Sequence, residues 1–460
     1  MNEPVSPWLE DTGDLVPRPH LPGDRDVDVV ILGAGYTGLW TALELQQRSP
    51  GIRIGIVEAN YAGFGGSGRN GAWCVAGVGI TLAELTRRFG EETARYVTNV
   101  MQDTVDEVGR ACSEHVPRAG FHKGGVLRLA RGAHEVPLVR EALELRRRLG
   151  VATGCELLTA DEVRNRVVVA GVQAAMADAH CATIHPGYLV RGLAQRVEER
   201  GAVLWEGTRA TGISPGGAGR RPELHTDRGD VRADVVVVAG EAYLSQLPQF
   251  HRHVLPIYSL AVMTAPLTPS QLQRVGWQDR ECLSSQRMSV DYLSRTADGR
   301  ILFGGRGAPY RLGSRITPGQ DRHGPTHGSL RRQFAQWFPQ LGDVDFTHTW
   351  GGPVGMPRDW IPTFSYRADT GLAAAFGYTG QGVAASNLAG RVLADLITGK
   401  GAAWSRLPFV GHHPRRWEPE PARWIAVRAL QRAVGRLDDR ARSTGKAPTG
   451  RSLTERLIRH

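Results

Sequence analysis

The strongest constraint on this chain is a strand that runs straight into a glycine-rich turn. Asp28-Val29-Val30-Ile31-Leu32 is followed without a break by Gly33-Ala34-Gly35-Tyr36-Thr37-Gly38. A continuous apolar run of this kind reads as a buried parallel strand. Gly33 permits the sharp turn, Gly35 removes a side chain that would block phosphates, and Gly38 lets the next helix pack close to the strand. The free N–H groups and positive dipole end of that helix then face a pyrophosphate. Leu39, Leu43 and Leu45 support the helix, and Pro50-Gly51 ends it. A second strand, Ile52 to Val57, leads to Glu58-Ala59. Glu58 stands twenty residues beyond Gly38, where a carboxylate binds adenosine ribose hydroxyls. Strand, turn, helix, strand and acid together point to a dinucleotide site that favours FAD or NAD over NADP.

Composition bounds the alternatives. With 460 residues, 41% of them hydrophobic, the chain can build two or three domains and a large core. The net charge of +10 is almost wholly arginine, because Lys123, Lys400 and Lys446 are the only lysines. A solvated basic surface is the plain reading; an acidic substrate, an anionic membrane or RNA are the sharper ones. Cys74, Cys112, Cys155, Cys181 and Cys282 are scattered, odd in number and free of any Cys-x-x-Cys. Neither a disulfide framework nor a metal site is expected, and a reducing cytoplasm fits best. No apolar run follows a basic start, so no leader peptide is expected. The uncharged stretch from Gly371 to Gly390 is broken by Gly, Gln, Ser and Asn and makes a poor membrane span.

Two further glycine-rich segments choose the flavin. Ala62-Gly63-Phe64-Gly65-Gly66-Ser67-Gly68-Arg69-Asn70-Gly71 has too many glycines for a helix or strand. It offers many backbone N–H groups and one arginine whose fork suits phosphate. Ala373-Ala374-Ala375-Phe376 runs into Gly377-Tyr378-Thr379-Gly380-Gln381-Gly382-Val383. With these strings the chain resembles the D-amino-acid oxidase superfamily of FAD-dependent oxidoreductases, in particular the subgroup containing γ-glutamylputrescine oxidase. The resemblance implies that Gly66 to Gly71 wraps the pyrophosphate and approaches the flavin. It implies that Gly377, Gly380, Gln381, Gly382 and Val383 close over the flavin pyrimidine. It places Ala210, after Val203 to Arg209, at the adenine, and Ala239-Gly240, after the valine run from Val235, near the cofactor. Trp8-Leu9-Glu10 looks like the subgroup's N-terminal extension.

The expected fold is α/β: a discontinuous Rossmann-like FAD-binding domain, an inserted antiparallel-sheet substrate domain and a C-terminal helical tail. Residues 1–25 form an N-terminal arm. Residues 26–80, 155–240 and 350–400 make the FAD-binding domain, 81–154 and 241–349 the substrate-binding domain, and 401–460 the tail. In the tail, Trp424, Val427, Leu430, Val434 and Leu437 recur at helical spacing, with Arg423, Arg428, Arg432, Arg436 and Arg440 on the other face. Such a helix either packs on its own domain with the arginines in water or lies on an anionic membrane.

The family chemistry implies oxidation of a C–N bond in a small amine or amino acid by hydride transfer to flavin N5. The resulting imine hydrolyses, and oxygen or another acceptor reoxidises the flavin, which is expected to be non-covalent FAD. The cofactor carries the redox step, so no general base is nominated. Tyr292, Arg306 and Trp350 are the candidate substrate contacts. Arg306 suits a carboxylate, and the two aromatics suit pocket walls. Some relatives use a flavin-side lysine for oxygen; here Lys123 is the only one before the C-terminal region. Cys74 has a place near the ring, though a buried inert cysteine is the plainer reading. The alternatives are an FAD enzyme acting on a modified tRNA base and a non-catalytic flavin-holding protein that binds a membrane or partner through the basic helix. Nucleic acid is not expected, since no aromatic-basic platform is visible.

Overall fold

The computed structural model describes residues 3–13, 15–217, 219–317 and 319–446. The last fourteen residues of the tail lie outside the described residues.

The valine-rich segments assemble into one six-stranded sheet. Strands Thr363–Arg367, Leu372–Phe376, Val235–Val238, Val29–Leu32, Ile54–Val57 and Val203–Trp205 lie in that order. All neighbours are parallel except the edge strand Thr363–Arg367. Val235 pairs with Val29 and Val238 with Leu32, so the Gly33 and Ala239-Gly240 turns leave the sheet side by side. The continuous apolar runs follow from burial on both faces. Val29, Ile31, Val235 and Val237 pack into a core with the helices Tyr36–Arg48, Leu82–His115, Pro186–Glu199 and Gly382–Ile397. Val30, Val236 and Val238 point the other way, onto Ile213, Leu224 and Val231 of a small four-stranded sheet. Side-chain alternation along a strand makes both cores from one run of residues.

The second layer is an eight-stranded sheet in the order Phe346–Met356, Leu255–Thr264, Ile301–Arg306, Asp291–Arg295, Cys282–Ser285, Val126–Ala130, Ala174–Asp178 and Cys155–Thr159. It is antiparallel except between Cys282–Ser285 and Val126–Ala130. Ile301 and Phe303 face an aromatic core with Phe334, Trp337 and Phe338, three of them on or beside helix Gly324–Trp337. The alternate residues Leu302, Gly304 and Arg306 therefore face the other side, toward the first sheet.

Several segments sit elsewhere than the sequence suggests. Residues 155–178, expected with the FAD-binding part, contribute two strands to the eight-stranded sheet. Helix Leu82–His115, expected with the substrate part, buries its apolar face in the core beneath the six-stranded sheet. The apolar segment containing Trp350 extends the eight-stranded sheet rather than the cofactor layer. Strand pairing across long sequence separations decided these placements, and local pattern does not carry that information.

The tail helix forms as Ala422–Thr444, with Val427 buried, Leu430, Val434 and Leu437 half-buried and Arg432, Arg436 and Arg440 exposed as the spacing suggests; its first turn departs from that pattern. Trp424 and Ile425 are exposed, whereas Arg423 is buried and donates to Glu420 Oε1 at 3.0 Å and the His251 carbonyl at 3.3 Å. Polar anchors decide the first turn, and the apolar repeat from Val427 to Leu437 faces inward along the rest of the helix. Among the described residues no helix is long and apolar enough to cross a membrane.

Candidate active site

A cavity of about 1910 Å³ opens at the carboxyl ends of the parallel strands and continues beneath the eight-stranded sheet. Its inner end is the glycine turn. Gly33 has φ +107°, and a Cβ there would stand 2.8 Å from the Ala239 carbonyl oxygen. The side-by-side register of the two strands thus demands glycine at this position. Gly38 backs onto the Gly33 carbonyl so closely that any side chain would overlap it. Ser67 Oγ accepts the Tyr36 N–H at 2.8 Å, which docks the 63–71 loop onto the start of the first helix. The Glu58 carboxylate accepts Ala34 N–H at 3.1 Å and Asn60 N–H at 3.0 Å, and burial raises its pKa.

Most of the predicted cofactor residues line this cavity. From the first turn these are Gly33, Gly35, Tyr36 and Thr37, with Glu58 and Ala59 at the end of the second strand. The loop contributes Gly66, Ser67, Arg69, Asn70 and Gly71; Ala210, Ala239, Gly240, Gly380, Gln381, Gly382 and Val383 complete the wall. Ala34, Gly38, Gly68 and Gly377 stand behind that wall and shape it through packing and hydrogen bonds.

Arg69 is used differently from the expectation. Its fork is spent on protein: Nε donates to the Phe64 carbonyl at 2.7 Å, while Nη1 meets the Gly351 carbonyl and Asp321, each at 3.1 Å. The guanidinium also lies 4.5 Å from the Phe64 ring centroid. Arg69 therefore staples the glycine loop to the eight-stranded sheet. Asn70 is likewise turned inward, donating to the Ser67 carbonyl at 2.9 Å and accepting Ala72 N–H at 2.9 Å.

Two of the three candidate substrate contacts meet in the cavity. Ser259 pairs with Arg306 across neighbouring strands, and Tyr292 with Gly304. The Ser259 and Tyr292 hydroxyls share a hydrogen bond of 2.9 Å. Arg306 donates through Nη2 to the Thr379 carbonyl at 3.0 Å, its one hydrogen bond among the described residues, and no carboxylate stands within 4 Å of it. Burial lowers its pKa and raises that of Tyr292. Trp350 is not a pocket wall. It is buried against Trp8, Ala261 and Leu302, and its indole N–H donates to the Arg69 carbonyl at 2.9 Å. Trp350 shares a sheet face with Tyr292, so a large aromatic there reads equally well as wall or core until the segment that covers it, here Trp8, is known.

One lining residue has no counterpart in the sequence reasoning. Glu241 follows Ala239-Gly240 with φ +45° and is half-buried. Its carboxylate accepts Gly377 N–H at 2.7 Å and Gly355 N–H at 3.2 Å. Desolvation pushes it up to about 7, against the lowering effect of those N–H bonds. Its position directly after the Ala-Gly turn, where a charged residue is out of place, was the available signal. Cys74 faces the core beside the helices, while its neighbours Trp73 and Val75 line the cavity. Lys123 pairs with Asp106 and lies outside the cavity lining.

A dinucleotide crevice on a doubly covered parallel sheet, opening onto a cavity under an antiparallel sheet, defines a two-part nucleotide-dependent oxidoreductase. The chain belongs to the DAO family of FAD dependent oxidoreductases, whose family model matches residues 28–396. Over 410 residues it is 32% identical to the probable oxidoreductase OrdL of Rhizobium meliloti, covering 86% of this chain and 90% of that one. It is 29% identical to the gamma-glutamylputrescine oxidoreductase of Escherichia coli, covering 84% of this chain and 87% of the relative. Glycine oxidase from Geobacillus kaustophilus superposes with a TM-score of 0.69 at 20% identity, over 85% of this chain and all of that one. The cofactor is FAD, and the residues present fit it: the glycine turn leaves the crevice open, and Glu58 stands where an adenosine ribose is bound.

Proposed function

We propose that the protein oxidises the C–N bond of a small amino acid or related amine whose carboxylate is held by Arg306. The observation that carries this is a half-buried guanidinium that lines the cavity beside Tyr292 and Ser259, with no carboxylate partner among the described residues. A cation drawn out of water is costly unless an anion completes it, and a planar fork matches a carboxylate through two parallel bonds. Tyr292 and Ser259 stand beside it as hydroxyl donors and fix the substrate's orientation. Gly33 to Gly38, Glu58, Ala210, Ala239-Gly240 and Gly377 to Val383 are the residues that would hold FAD, bound non-covalently.

FAD supplies a hydride acceptor to a neutral amine. The chain's part is to orient the C–H bond, exclude water and offset the carboxylate charge. Loss of the hydride from carbon and of a proton from nitrogen to water leaves an imine, which water converts to a carbonyl compound and a smaller amine or ammonia. Reoxidation draws on oxygen, giving hydrogen peroxide, or on another acceptor. The family assignment and the relatives, among them a glycine oxidase and an L-proline dehydrogenase of the same fold, support this class of chemistry. The test is the visible absorption spectrum of the purified holoenzyme, before and after anaerobic addition of pooled amino acids and pooled amines. Flavin bands that bleach with a carboxylate-bearing pool are expected. Bands that bleach with no pool overturn the proposal.

A further inference from the structure

The helix Ala422–Thr444 lies beyond the family domain, which ends at residue 396. It nevertheless forms part of the wall of the same cavity, through Val427, Leu430 and Val434 and through Arg428 and Arg432. We propose that this helix is the outer wall of the substrate site and that Arg428 and Arg432 select a substrate carrying a second anionic group, a carboxylate or phosphoryl, remote from the oxidised C–N bond. The inference rests on the amino-acid reading above and narrows its substrate class.

Three anchors bolt the helix to the strands that carry the inner site. Glu420 accepts the Tyr310 hydroxyl at 2.7 Å and Gly313 N–H at 3.0 Å. The Gln431 amide accepts Tyr310 N–H and donates to the Ala308 carbonyl, each at 3.2 Å, just past the end of the Arg306 strand. The Asp438 carboxylate accepts Met288 N–H at 2.9 Å and Ser289 N–H at 3.0 Å, in the turn that precedes Tyr292. The loops leaving Arg306 and entering Tyr292 are therefore held by one helix, and the inner and outer ends of the cavity share a frame.

Arg428 is half-buried and Arg432 exposed where the helix lines the cavity. They stand four residues apart, on one helix face, where like charges repel. Arg428 bonds only to Gln431 Oε1, at 3.3 Å, and Arg432 has no ion pair among the described residues. Arg358, Arg287 and Arg69 of the same cavity are matched by Glu418, Asp438 and Asp321, whereas Arg128, Arg209, Arg306 and Arg322 have, like these two, no ion pair among the described residues; what sets Arg428 and Arg432 apart is their place together on the tail helix. Two guanidinium groups spaced by one turn of a wall otherwise made of Val427, Leu430, Val434 and the Gln431 amide can clamp an anion that enters with the substrate.

The experiment compares matched substrates on the holoenzyme. The panel pairs amino acids ending in a side-chain carboxylate or phosphonate with the corresponding side-chain amides, at several chain lengths. Wild-type enzyme should prefer the doubly anionic member, and the preference should fall as ionic strength rises. In Arg428→Gln/Arg432→Gln, the ratio of kcat/KM for the doubly anionic member to that for its amide should fall about 10- to 100-fold. Arg432→Glu, a change at an exposed position, should lower the same ratio at least as far. Carboxylate and phosphonate arms separate the two sources of the anion. A ratio that is unchanged in both variants overturns the inference while leaving the amino-acid reading intact. A flavin reduced by no member of the panel overturns both.

Discussion

The Tyr292 ring occupies the space that a side chain at Gly304 would need. The two residues are cross-strand partners, and a Cβ at Gly304 would overlap the phenol. The same ring fills the position a side chain would take at Gly71, in the cofactor loop. Tyr292 is thus wedged between the substrate sheet and the glycine loop, with its hydroxyl fixed by Ser259. Gly304→Ala should push the ring off this position. We expect a loss of about 1–3 kcal/mol of stability and a fall in kcat/KM of at least about tenfold. Urea denaturation and steady-state kinetics on the purified variant measure both; an unchanged kcat/KM would show that Tyr292 does not orient the substrate.

Arg306 separates stability from binding. Because no carboxylate compensates it in the free protein, removing it costs little folding energy. Arg306→Met should lose less than about 1 kcal/mol of apoprotein stability, while KM for amino acids rises about 10- to 100-fold. A large loss of stability with unchanged KM would make Arg306 a structural residue.

Trp350 should behave in the opposite way. Trp350→Phe removes the indole donor to the buried Arg69 carbonyl. The expected cost is about 1–3 kcal/mol of stability, with KM within about threefold of wild type because the ring does not line the cavity. A KM change above tenfold, with stability intact, contradicts this placement.

Glu241 gives a pH dependence of known sign. Its folded pKa is raised to about 7 from an ordinary value of 4.5. Between those values the folded protein binds more protons than the unfolded chain, so this group's contribution to stability falls as pH rises and levels off above 7. Glu84 and Asp178, each held down to about 2, act only in acid below that window. Burial lowers the pKa values of His115, His185, His253 and His327, which contribute stability that rises with pH in the same range. The check is therefore the difference: in chemical denaturation of the apoprotein from pH 5 to 8, stability should fall more, or rise less, with pH in wild type than in Glu241→Gln. Equal slopes in the two proteins would refute the assignment.

The cofactor crevice was legible because backbone geometry permits little else there. A turn at φ +107° pressed against a neighbouring carbonyl requires glycine, and the spacing from Gly38 to Glu58 follows from one helix and one strand. The substrate side was legible only as residue types. Tyr292, Arg306 and Trp350 were equal candidates by chemistry, and register puts all three on one face of the second sheet; Tyr292 and Arg306 line the cavity there, while Trp350 is covered by Trp8 and bonded to the Arg69 carbonyl. Arg69 looked like a phosphate ligand because a fork beside glycines suits one; Asp321 and the Gly351 carbonyl, more than 250 residues away, claim it instead.

The sequence by itself determined the nucleotide crevice, the strands that build it and the family, because each depends on residues close together in the chain and on steric rules that only glycine satisfies. Tertiary structure alone decided which face of the second sheet looks onto the cavity, that Glu241 bridges Gly355 and Gly377, and that the tail helix brings Arg428 and Arg432 to the cavity wall. Those outcomes depend on register and docking between segments hundreds of residues apart, where the energy comes from matched surfaces rather than from local preference.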